Sequence, residues 1–302
     1  MATIVAESDV NDEPNVTDPG AAPYGNFINY YTFNPPENRL CLIPNTLLND
    51  IGYSTKSHET ILVLDVGCNS GDLTVALYKH LQGAAERNLR LLGFDLDEDL
   101  IRRAELSNPF PENISFIPLD ITHNVLSRTQ LERYLAGFGR SRFHLSACLA
   151  VTMWVHLNHG DTALLEFLGR LASLCDHLLL EAQPWKCYRS AARRLRKLGR
   201  RDFDHFKTLE IRGDIARHIT KHLEDRCGME LVSSFGNTTW DRKLLLFRTC
   251  ERKQIHVASF TLLIDAVIFH HEKLRGPHED ITPHGNVTLP SVATLSLWLA
   301  NI

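Results

Sequence analysis

A glycine-containing turn at residues 65–71 is the part of this sequence whose residue types and spacing best suit ligand binding. The turn, Asp65-Val66-Gly67-Cys68-Asn69-Ser70-Gly71, joins an apolar run of β-forming residues to a segment with helical periodicity. Because Gly67 and Gly71 carry no Cβ, the backbone can pass close to a ligand at both positions. The spacing is not the G-x-G-x-x-G of dinucleotide-binding loops. The pattern therefore predicts a strand, a ligand-binding turn and a helix.

Acidic residues stand at the ends of the next two predicted strands. Asp95 ends the second strand and Asp120 follows the third. Ligands of parallel sheets bind at the carboxyl ends of the strands, where an acid can accept hydrogen bonds from a ribose diol or from an adenine amino group. Asp95 could instead cap the following helix, a role that Asp97 could also fill. With the glycine turn upstream, we favour the ribose interpretation for Asp95.

A polar segment at residues 152–161 follows the fourth predicted strand, and we interpret it as a loop on the ligand side of the sheet. Its characteristic residues are Trp154, His156, Asn158, His159 and Asp161. Loops held by a rigid scaffold often carry function. A metal site is disfavoured because the two histidines have no cysteine partner. The alternative is that His159 or Asp161 only caps the next helix.

The segment from Lys186 to Arg201 contains eight basic residues and no acid. At helical spacing one face carries Arg189, Arg193, Arg196, Lys197 and Arg200, and another carries Ala191, Leu195 and Leu198. Like charges one helical turn apart cost stability, so the pattern favours binding of a polyanion over a role in folding alone. The expected contacts are Arg193, Arg194, Arg196, Lys197 and Arg200. An ordinary solvated face is the alternative, although such faces usually mix charges of both signs.

Residues 23–45 are rich in aromatic side chains, with five in the ten residues from Tyr24 to Phe33. Aromatic rings stack on bases or line a ligand cleft, and the alternative is an arm that packs its rings on the core. Arg39 stands among apolar residues, where a guanidinium needs an anionic partner such as a ligand carboxylate or phosphate. A surface arginine is the default alternative.

Strands and helices alternate from residue 61 onward. The predicted strands are 61–66, 89–95, 114–118, 143–151, 177–181, 229–235 and 243–248, and the predicted helices are 72–81, 97–107, 125–137, 161–173 and 212–227, besides the basic segment. Strands that alternate with helices of about ten residues indicate βαβ units and an α/β fold with a mostly parallel sheet.

Length and composition limit the function classes. The chain has 302 residues, a net charge of −4 and seven scattered cysteines without a C-x-x-C pair. Any nucleic-acid surface must therefore be local, and the cysteines favour a reducing compartment over a disulfide framework or zinc site. We predict a disordered acidic tail at 1–22, a catalytic domain at 23–250 and an extension of unknown structure at 251–302. The longest apolar stretch is too short to span a bilayer.

Several segments together resemble the bicoid-interacting-protein family of RNA methyltransferases, which includes the methylphosphate capping enzyme of the small nuclear RNA 7SK. The segments are 23–27, 39–40, 65–73, 151–161 and 183–188. The W-x-H-L-N and Q-P-W motifs are the specific part. The D-x-G-x-x-x-G turn by itself resembles motif I of the S-adenosylmethionine (SAM) methyltransferases. The resemblance covers about residues 22–250 and is strongest to the branch that methylates RNA 5′-monophosphates on histidine tRNA and microRNA precursors.

The resemblance implies a seven-stranded Rossmann-like SAM-dependent methyltransferase fold whose mostly parallel sheet is closed by an antiparallel strand. It implies SAM as cofactor, S-adenosyl-L-homocysteine as product, no metal and no membrane, and a cytoplasmic monomer that could meet RNA-processing proteins. The expected cofactor contacts are Tyr24, Arg39, Asp65, Gly67, Asn69, Gly71, Asp95, Asp120, Ile121 and Leu149. Arg39 would reach the SAM carboxylate, Asn69 the methionine part, and Asp120 with Ile121 the adenine.

The implied acceptor is a phosphate oxygen at the 5′ end of RNA. Such a phosphate has a second pKa near 6 and is largely dianionic at neutral pH, so it needs no general base. The expected phosphate-positioning residues are His156, His159, Lys186 and Arg189. Two alternatives stay open: a methyltransferase that acts on a small molecule or protein, and a non-catalytic RNA-binding adaptor on the same fold.

Overall fold

Seven strands form one sheet in residues 22–53, 59–83 and 88–250, which are the residues that the structure, a computed structural model, describes. The predicted extension at 251–302 and all of the predicted tail at 1–22 except Ala22 lie outside the described residues. The strands are β1 (Ile61–Val66), β2 (Leu89–Asp95), β3 (Ile114–Pro118), β4 (Phe143–Leu149), β5 (Cys175–Ala182), β6 (Met229–Asn237) and β7 (Lys243–Thr249).

Helices cover both faces of this sheet. They are α1 (Tyr30–Phe33), α2 (Glu37–Leu40), α3 (Leu47–Asp50), α4 (Asp72–Gln82), α5 (Glu98–Ser107), α6 (Asn124–Ala136), α7 (Thr152–Leu174), α8 (Trp185–Lys197) and α9 (Ile215–Cys227). None of the helices in the described ranges has the length and apolar character to cross a membrane.

The strand order is β3-β2-β1-β4-β5-β7-β6. Strands β1 to β5 run parallel, and β7 lies antiparallel between β5 and β6. This confirms the predicted fold class. Strand β1 pairs with β2 on one side and with β4 on the other. The order in which strands are added to the sheet therefore switches from one side of β1 to the other. A crevice opens at the carboxyl ends of the strands at such a point, which is where open α/β sheets bind ligands.

Both faces of the sheet are apolar because each packs against helices. All six residues of β1 are buried. Leu62 and Leu64 face the core shared with α6 to α9, whereas Ile61 and Val63 face the core shared with α4 and α5. This two-sided burial explains the continuous apolar run in the sequence.

The predicted loop at 152–161 is wrong, because α7 begins at Thr152. One side of this first stretch is buried and carries Met153, His156 and Leu157 at helical spacing. The polar residues between them made this helical pattern hard to detect in the sequence. Gly160 breaks the helix with φ 83° and ψ −177°. A Cβ there would lie 3.1 Å from the ring of His205 and in a left-handed conformation that favours glycine. The helix therefore consists of two parts that meet at Gly160.

Candidate active site

A cavity of about 270 Å³, which we call the strand-end cavity, lies at the carboxyl ends of β1, β2 and β4. The residues that define it come from the N-terminal arm at 22–34, from the turns after the strands, and from the start of α7. Eight of the ten predicted cofactor contacts line it: Tyr24, Asp65, Gly67, Asn69, Asp95, Asp120, Ile121 and Leu149. Arg39 and Gly71 are not among its lining residues.

The two glycines of the turn have different roles. Gly67 has φ 72°, lines the cavity, and would place a Cβ 2.7 Å from Cγ2 of Val151. Gly71 has φ 81°, and its Cβ would lie 2.8 Å from Cζ of Phe116 and 2.9 Å from Cβ of Ala104. Because Gly67 has no side chain, only backbone atoms line the cavity at this position. Gly71 does not line the cavity, and its missing side chain makes room for core packing beneath the turn, so its contact with the cofactor stays a prediction.

Asp95 joins the ends of β1 and β2. Its Oδ2 accepts a hydrogen bond from the backbone N–H of Asn69 at 2.9 Å, and its Oδ1 accepts one from the N–H of Asp97 at 3.1 Å. The capping role belongs to Asp97, which accepts hydrogen bonds from Asp99 and Leu100. Burial raises the pKa of Asp95. Asp95 thus presents a largely buried carboxylate at the cavity wall.

Asp65 adds a second buried carboxyl to the same cavity. Its Oδ2 accepts a hydrogen bond from Oγ1 of Thr74 at 2.6 Å. Burial raises the pKa of Asp65 to about 6, despite the opposing effects of Thr74 and Arg39. Two carboxyl groups in one enclosed space favour a ligand that carries positive charge.

The third turn and β4 supply the other end of the cavity. Ile121 and Leu149 are buried apolar residues of its wall. Asp120 is exposed at the rim, where its Oδ1 accepts hydrogen bonds from the N–H and the hydroxyl of Thr122. A flat apolar group edged by hydrogen-bond donors would fit between these residues.

The N-terminal arm closes the cavity from above. The side-chain amide of Asn69 donates to the carbonyl of Phe27 at 3.2 Å, and that of Asn26 donates to Asp97 at 2.9 Å. The hydroxyl of Tyr31 donates to the carbonyl of Cys68 at 3.2 Å. The side chain predicted to hold the ligand's methionine part therefore fixes the arm to the turn.

Arg39 is fully buried and has a protein partner. Its Nε donates to Oε2 of Glu181, and its Nη2 donates to the hydroxyl of Tyr30 at 2.7 Å. Arg242 donates from Nη1 to Oε1 of the same Glu181 at 3.1 Å. The alternative of a surface arginine is wrong for Arg39, because two guanidinium groups share one buried carboxylate next to Tyr30. Its contact with the SAM carboxylate stays a prediction. Within the described residues, Nη1 of Arg39 is buried without a hydrogen-bond partner.

A second cleft of about 640 Å³ adjoins the first, and we call it the arginine cleft. Its defining residues are Phe27, Ile28, Asn29, Tyr30, Phe33, Asn34, Ala150, Met153, Trp154, Gln183, Lys186, Cys187, Ser190, Ala191, Arg194 and Arg242. It shares Tyr30, Ala150 and Trp154 with the strand-end cavity. A ligand in either space therefore lies directly beside a ligand in the other.

His156 does not face either cavity. It is fully buried, and its ring nitrogens bond to the hydroxyl of Tyr188 at 3.1 Å and to Oδ1 of Asp161 at 2.9 Å. Asp161 also accepts the backbone N–H groups of Glu210 and Ile211. Burial lowers the pKa of His156. We correct its predicted role in phosphate positioning, because it ties α7 to α8 and to the segment before α9.

The other predicted phosphate-positioning residues lie in different places. His159 is exposed and lines the strand-end cavity. Lys186 lines the arginine cleft, but its Nζ donates to Oδ2 of Asp241 at 2.9 Å. Arg189 is exposed on α8 and lines neither space. The structure thus separates these residues.

The basic helix α8 has two sides. The exposed side carries Arg189, Arg193, Arg196 and Lys197, with Arg200 just after the helix. Arg194 instead turns inward, with its Cζ 4.4 Å from the ring centre of Phe27. Leu198 is 42% exposed, contrary to the predicted core contact, because the helix ends at Lys197.

Comparison with known proteins places the chain in a family. The family model of Bicoid-interacting protein 3 (Bin3) matches residues 143–249. The chain is 66% identical over 249 residues to the pre-miRNA 5′-monophosphate methyltransferase of Danio rerio, with 80% of this chain and 98% of that protein covered. It is 51% identical over 260 residues to the RNA 5′-monophosphate methyltransferase of Homo sapiens, with 83% and 89% covered.

The chain belongs to the RNA 5′-monophosphate methyltransferase family. Among solved structures it is similar to the magnesium protoporphyrin IX methyltransferase of Synechocystis PCC 6803 with bound SAM. The identity is 15% and the TM-score 0.44, with 78% of this chain and 99% of that chain covered.

Two arginines of this family member face inward: Arg194, which is predicted as an exposed RNA contact, and Arg242, for which the sequence predicts no role. Arg194 lies three residues after buried Ala191 and one before buried Leu195, so helical spacing alone could have placed it toward the core. Arg242 sits in the turn before β7, where no local pattern marks it. In the described residues, no group of three or more histidine, cysteine or acidic side chains could hold a metal ion.

Proposed function

We propose that this protein transfers the methyl group of SAM to the 5′-monophosphate of RNA. The observation that carries the proposal is 66% identity to a pre-miRNA 5′-monophosphate methyltransferase over nearly all of that protein. The strand-end cavity supports it, because eight residues expected to contact SAM converge there from separate strands.

The residues of this cavity fit a cationic nucleoside ligand. Asp65 and Asp95 offer buried carboxyl groups that favour positive charge and ribose hydroxyls. Ile121 and Leu149 provide an apolar slot for an adenine ring, whose amino group Asp120 could accept. Gly67 leaves space for the ligand where any side chain would meet Val151. Arg39 does not line the cavity, but its charge acts on Asp65, which does, and we propose its Nη1 as the donor to the SAM carboxylate.

SAM supplies an electrophilic methyl group, which a phosphate oxygen takes with release of S-adenosyl-L-homocysteine. The protein does not need to remove a proton, since the phosphate is already a dianion near neutral pH. Its residues must hold the phosphate oxygen in line with the methyl group and exclude water. The N-terminal arm over the cavity, fixed by Asn69 and Asn26, is positioned to do the latter.

The exposed basic side of α8 is the proposed contact for the RNA backbone. It holds four cations in nine residues, of which Arg196 has an acidic partner, Asp202 at 3.2 Å. We further propose microRNA precursors and histidine tRNA as substrates and the cytoplasm as the compartment. The name of the Danio rerio relative supports the first of these substrates.

A single assay tests the activity. The protein is incubated with methyl-labelled SAM and one RNA sequence that carries a 5′-hydroxyl, a 5′-monophosphate or a 5′-triphosphate. We expect label on the monophosphate RNA and on neither other end. Label that depends on the RNA but not on its 5′ phosphate, or label in a protein or small molecule only, would contradict the proposal. Transcripts of histidine tRNA and of a microRNA hairpin, each with a 5′-monophosphate, then rank the substrates.

A further inference from the structure

The guanidinium group of Arg194 lies in the arginine cleft against two aromatic rings, with part of its hydrogen-bonding capacity unused. Its Cζ lies 4.4 Å from the ring centre of Phe27 and 5.7 Å from that of Trp154. Its Nε and Nη2 are buried and have no hydrogen-bond partner among the described residues. Burial lowers the pKa of Arg194 and no acid offsets this effect. Two aromatic rings therefore hold this cation in place, while two of its donors lack an acceptor in the described part of the chain.

These two nitrogens form one edge of the guanidinium plane. That edge presents two parallel N–H groups, the arrangement that binds a phosphate or carboxylate in a bidentate manner. Buried ionised donors are unfavourable without a partner. The geometry is thus suited to an anion with two oxygens side by side.

Arg242, which lines the same cleft, belongs to a buried group with an excess of positive charge. It shares the single carboxylate of Glu181 with Arg39, which is not a lining residue of the cleft. Among the residues that the structure describes, Nε of Arg242 and Nη1 of Arg39 are buried without hydrogen-bond partners. Lys186, by contrast, is paired with Asp241. Before any ligand binds, the group of Arg39, Arg242 and Glu181 therefore carries one net positive charge, in addition to that of Arg194.

We propose that the arginine cleft is the acceptor site, in which Arg194 and Arg242 bind the terminal phosphate dianion of the RNA. This inference rests on the proposed function and assigns its substrate site. The cleft shares Tyr30, Ala150 and Trp154 with the strand-end cavity, so a phosphate there adjoins the methyl donor. Arginine holds a dianion without giving it a proton, because its pKa stays far above neutral. The phosphate oxygen consequently remains a nucleophile.

The test compares Arg194→Gln with a matched control, Arg128→Gln. Arg128 is exposed on α6, pairs with Glu132, and lines neither space. In the presence of S-adenosyl-L-homocysteine, fluorescence anisotropy measures the affinity for one RNA with a 5′-monophosphate or a 5′-hydroxyl. SAM-dependent thermal stabilisation reports on the fold and the donor cavity.

We expect Arg194→Gln to retain SAM-dependent stabilisation. Its preference for the monophosphate RNA over the hydroxyl RNA should be roughly 10- to 100-fold smaller than that of wild type, which is the effect of losing a hydrogen bond between charged groups. Arg128→Gln keeps that preference. Arg194→Lys, which retains charge without the bidentate edge, falls between. The inference is overturned if Arg194→Gln still responds to SAM and prefers the monophosphate RNA as strongly as wild type does. If Arg194→Gln does not fold, a wild-type preference for the monophosphate RNA in both Arg194→Lys and Arg242→Lys overturns it. A wild-type protein that methylates no RNA would instead refute the proposed function itself.

Discussion

The backbone N–H of Asn69 donates to the carboxylate of Asp95 at 2.9 Å and thereby ties the turn after β1 to the end of β2. The same carboxylate faces the strand-end cavity. One residue thus shapes the turn and offers an acceptor to a ligand.

Replacement of Asp95 should remove SAM binding. Asp95→Ala leaves the Asn69 amide without its acceptor and removes the expected ribose contact, so we expect a loss of at least about 100-fold in affinity. Isothermal titration calorimetry with SAM measures it. Asp99→Ala serves as the control, because Asp99 is exposed on α5 and pairs only with Arg102. Equal SAM affinity in the Asp95 variant and the control would contradict the assignment.

SAM affinity should fall at acidic pH. The pKa of Asp65 is about 6 in the free protein, and a cationic ligand favours the ionised carboxylate. Binding must therefore lower that pKa and release protons, so affinity decreases as pH falls below about 6. Calorimetry between pH 5 and pH 8 detects this trend, and Asp65→Asn should flatten it. An unchanged slope in that variant would assign the titration to another group.

The same residue gives the free protein the opposite pH trend in stability. The folded pKa of Asp65 lies above its usual value of 3.8. The folded state then holds the proton more tightly, and this contribution is complete below pH 3.8 and lost as pH rises through about 6. Asp65→Asn should accordingly raise the neutral-pH free energy of unfolding without ligand, by up to about 3 kcal/mol. Thermal or urea unfolding at pH 7.5 tests it, and a destabilised variant would contradict it.

Gly71→Ala should destabilise the fold. The new Cβ would lie within 3 Å of Phe116 and Ala104, and φ 81° is unfavourable for alanine. We expect a loss of about 2 kcal/mol or more in the free energy of unfolding. Gly169→Ala is the matched control, since this helical glycine of α7 has open space around its Cα. That control should be neutral or gain up to about 1 kcal/mol. Similar stability in both variants would contradict the packing role of Gly71.

Charge reversal on the exposed side of α8 should weaken RNA binding in a salt-dependent way. Arg193→Glu with Arg196→Glu removes two cations from a surface that lines neither cavity. In a plot of the logarithm of RNA affinity against the logarithm of salt concentration, the slope should become less steep by roughly 0.7 for each phosphate contact that is removed. SAM affinity should be unchanged. RNA affinities from 50 to 300 mM salt give the slope, and a slope equal to that of wild type would exclude this face as the backbone contact.

The local pattern of the chain determined the sheet and most of the strand-end cavity. A continuous apolar run such as β1 indicates a strand that is buried on both faces. A glycine turn or an acid at the end of such a strand must lie at the carboxyl edge of the parallel sheet, where ligands bind. For this reason Gly67, Asp95 and Asp120 could be assigned to one cavity from the local pattern, whereas Ile121 was assigned to it only through the family resemblance.

Tertiary structure alone decided the roles of the buried charged residues. Arg39 meets Glu181 across 142 positions of the chain, and Arg242 joins the same carboxylate from a turn. His156 is satisfied by Tyr188 and Asp161 on other segments. A sequence states which groups need partners, because burial of an unpaired charge is costly at any position. It does not determine which residue becomes the partner, because that depends on how distant strands and helices pack.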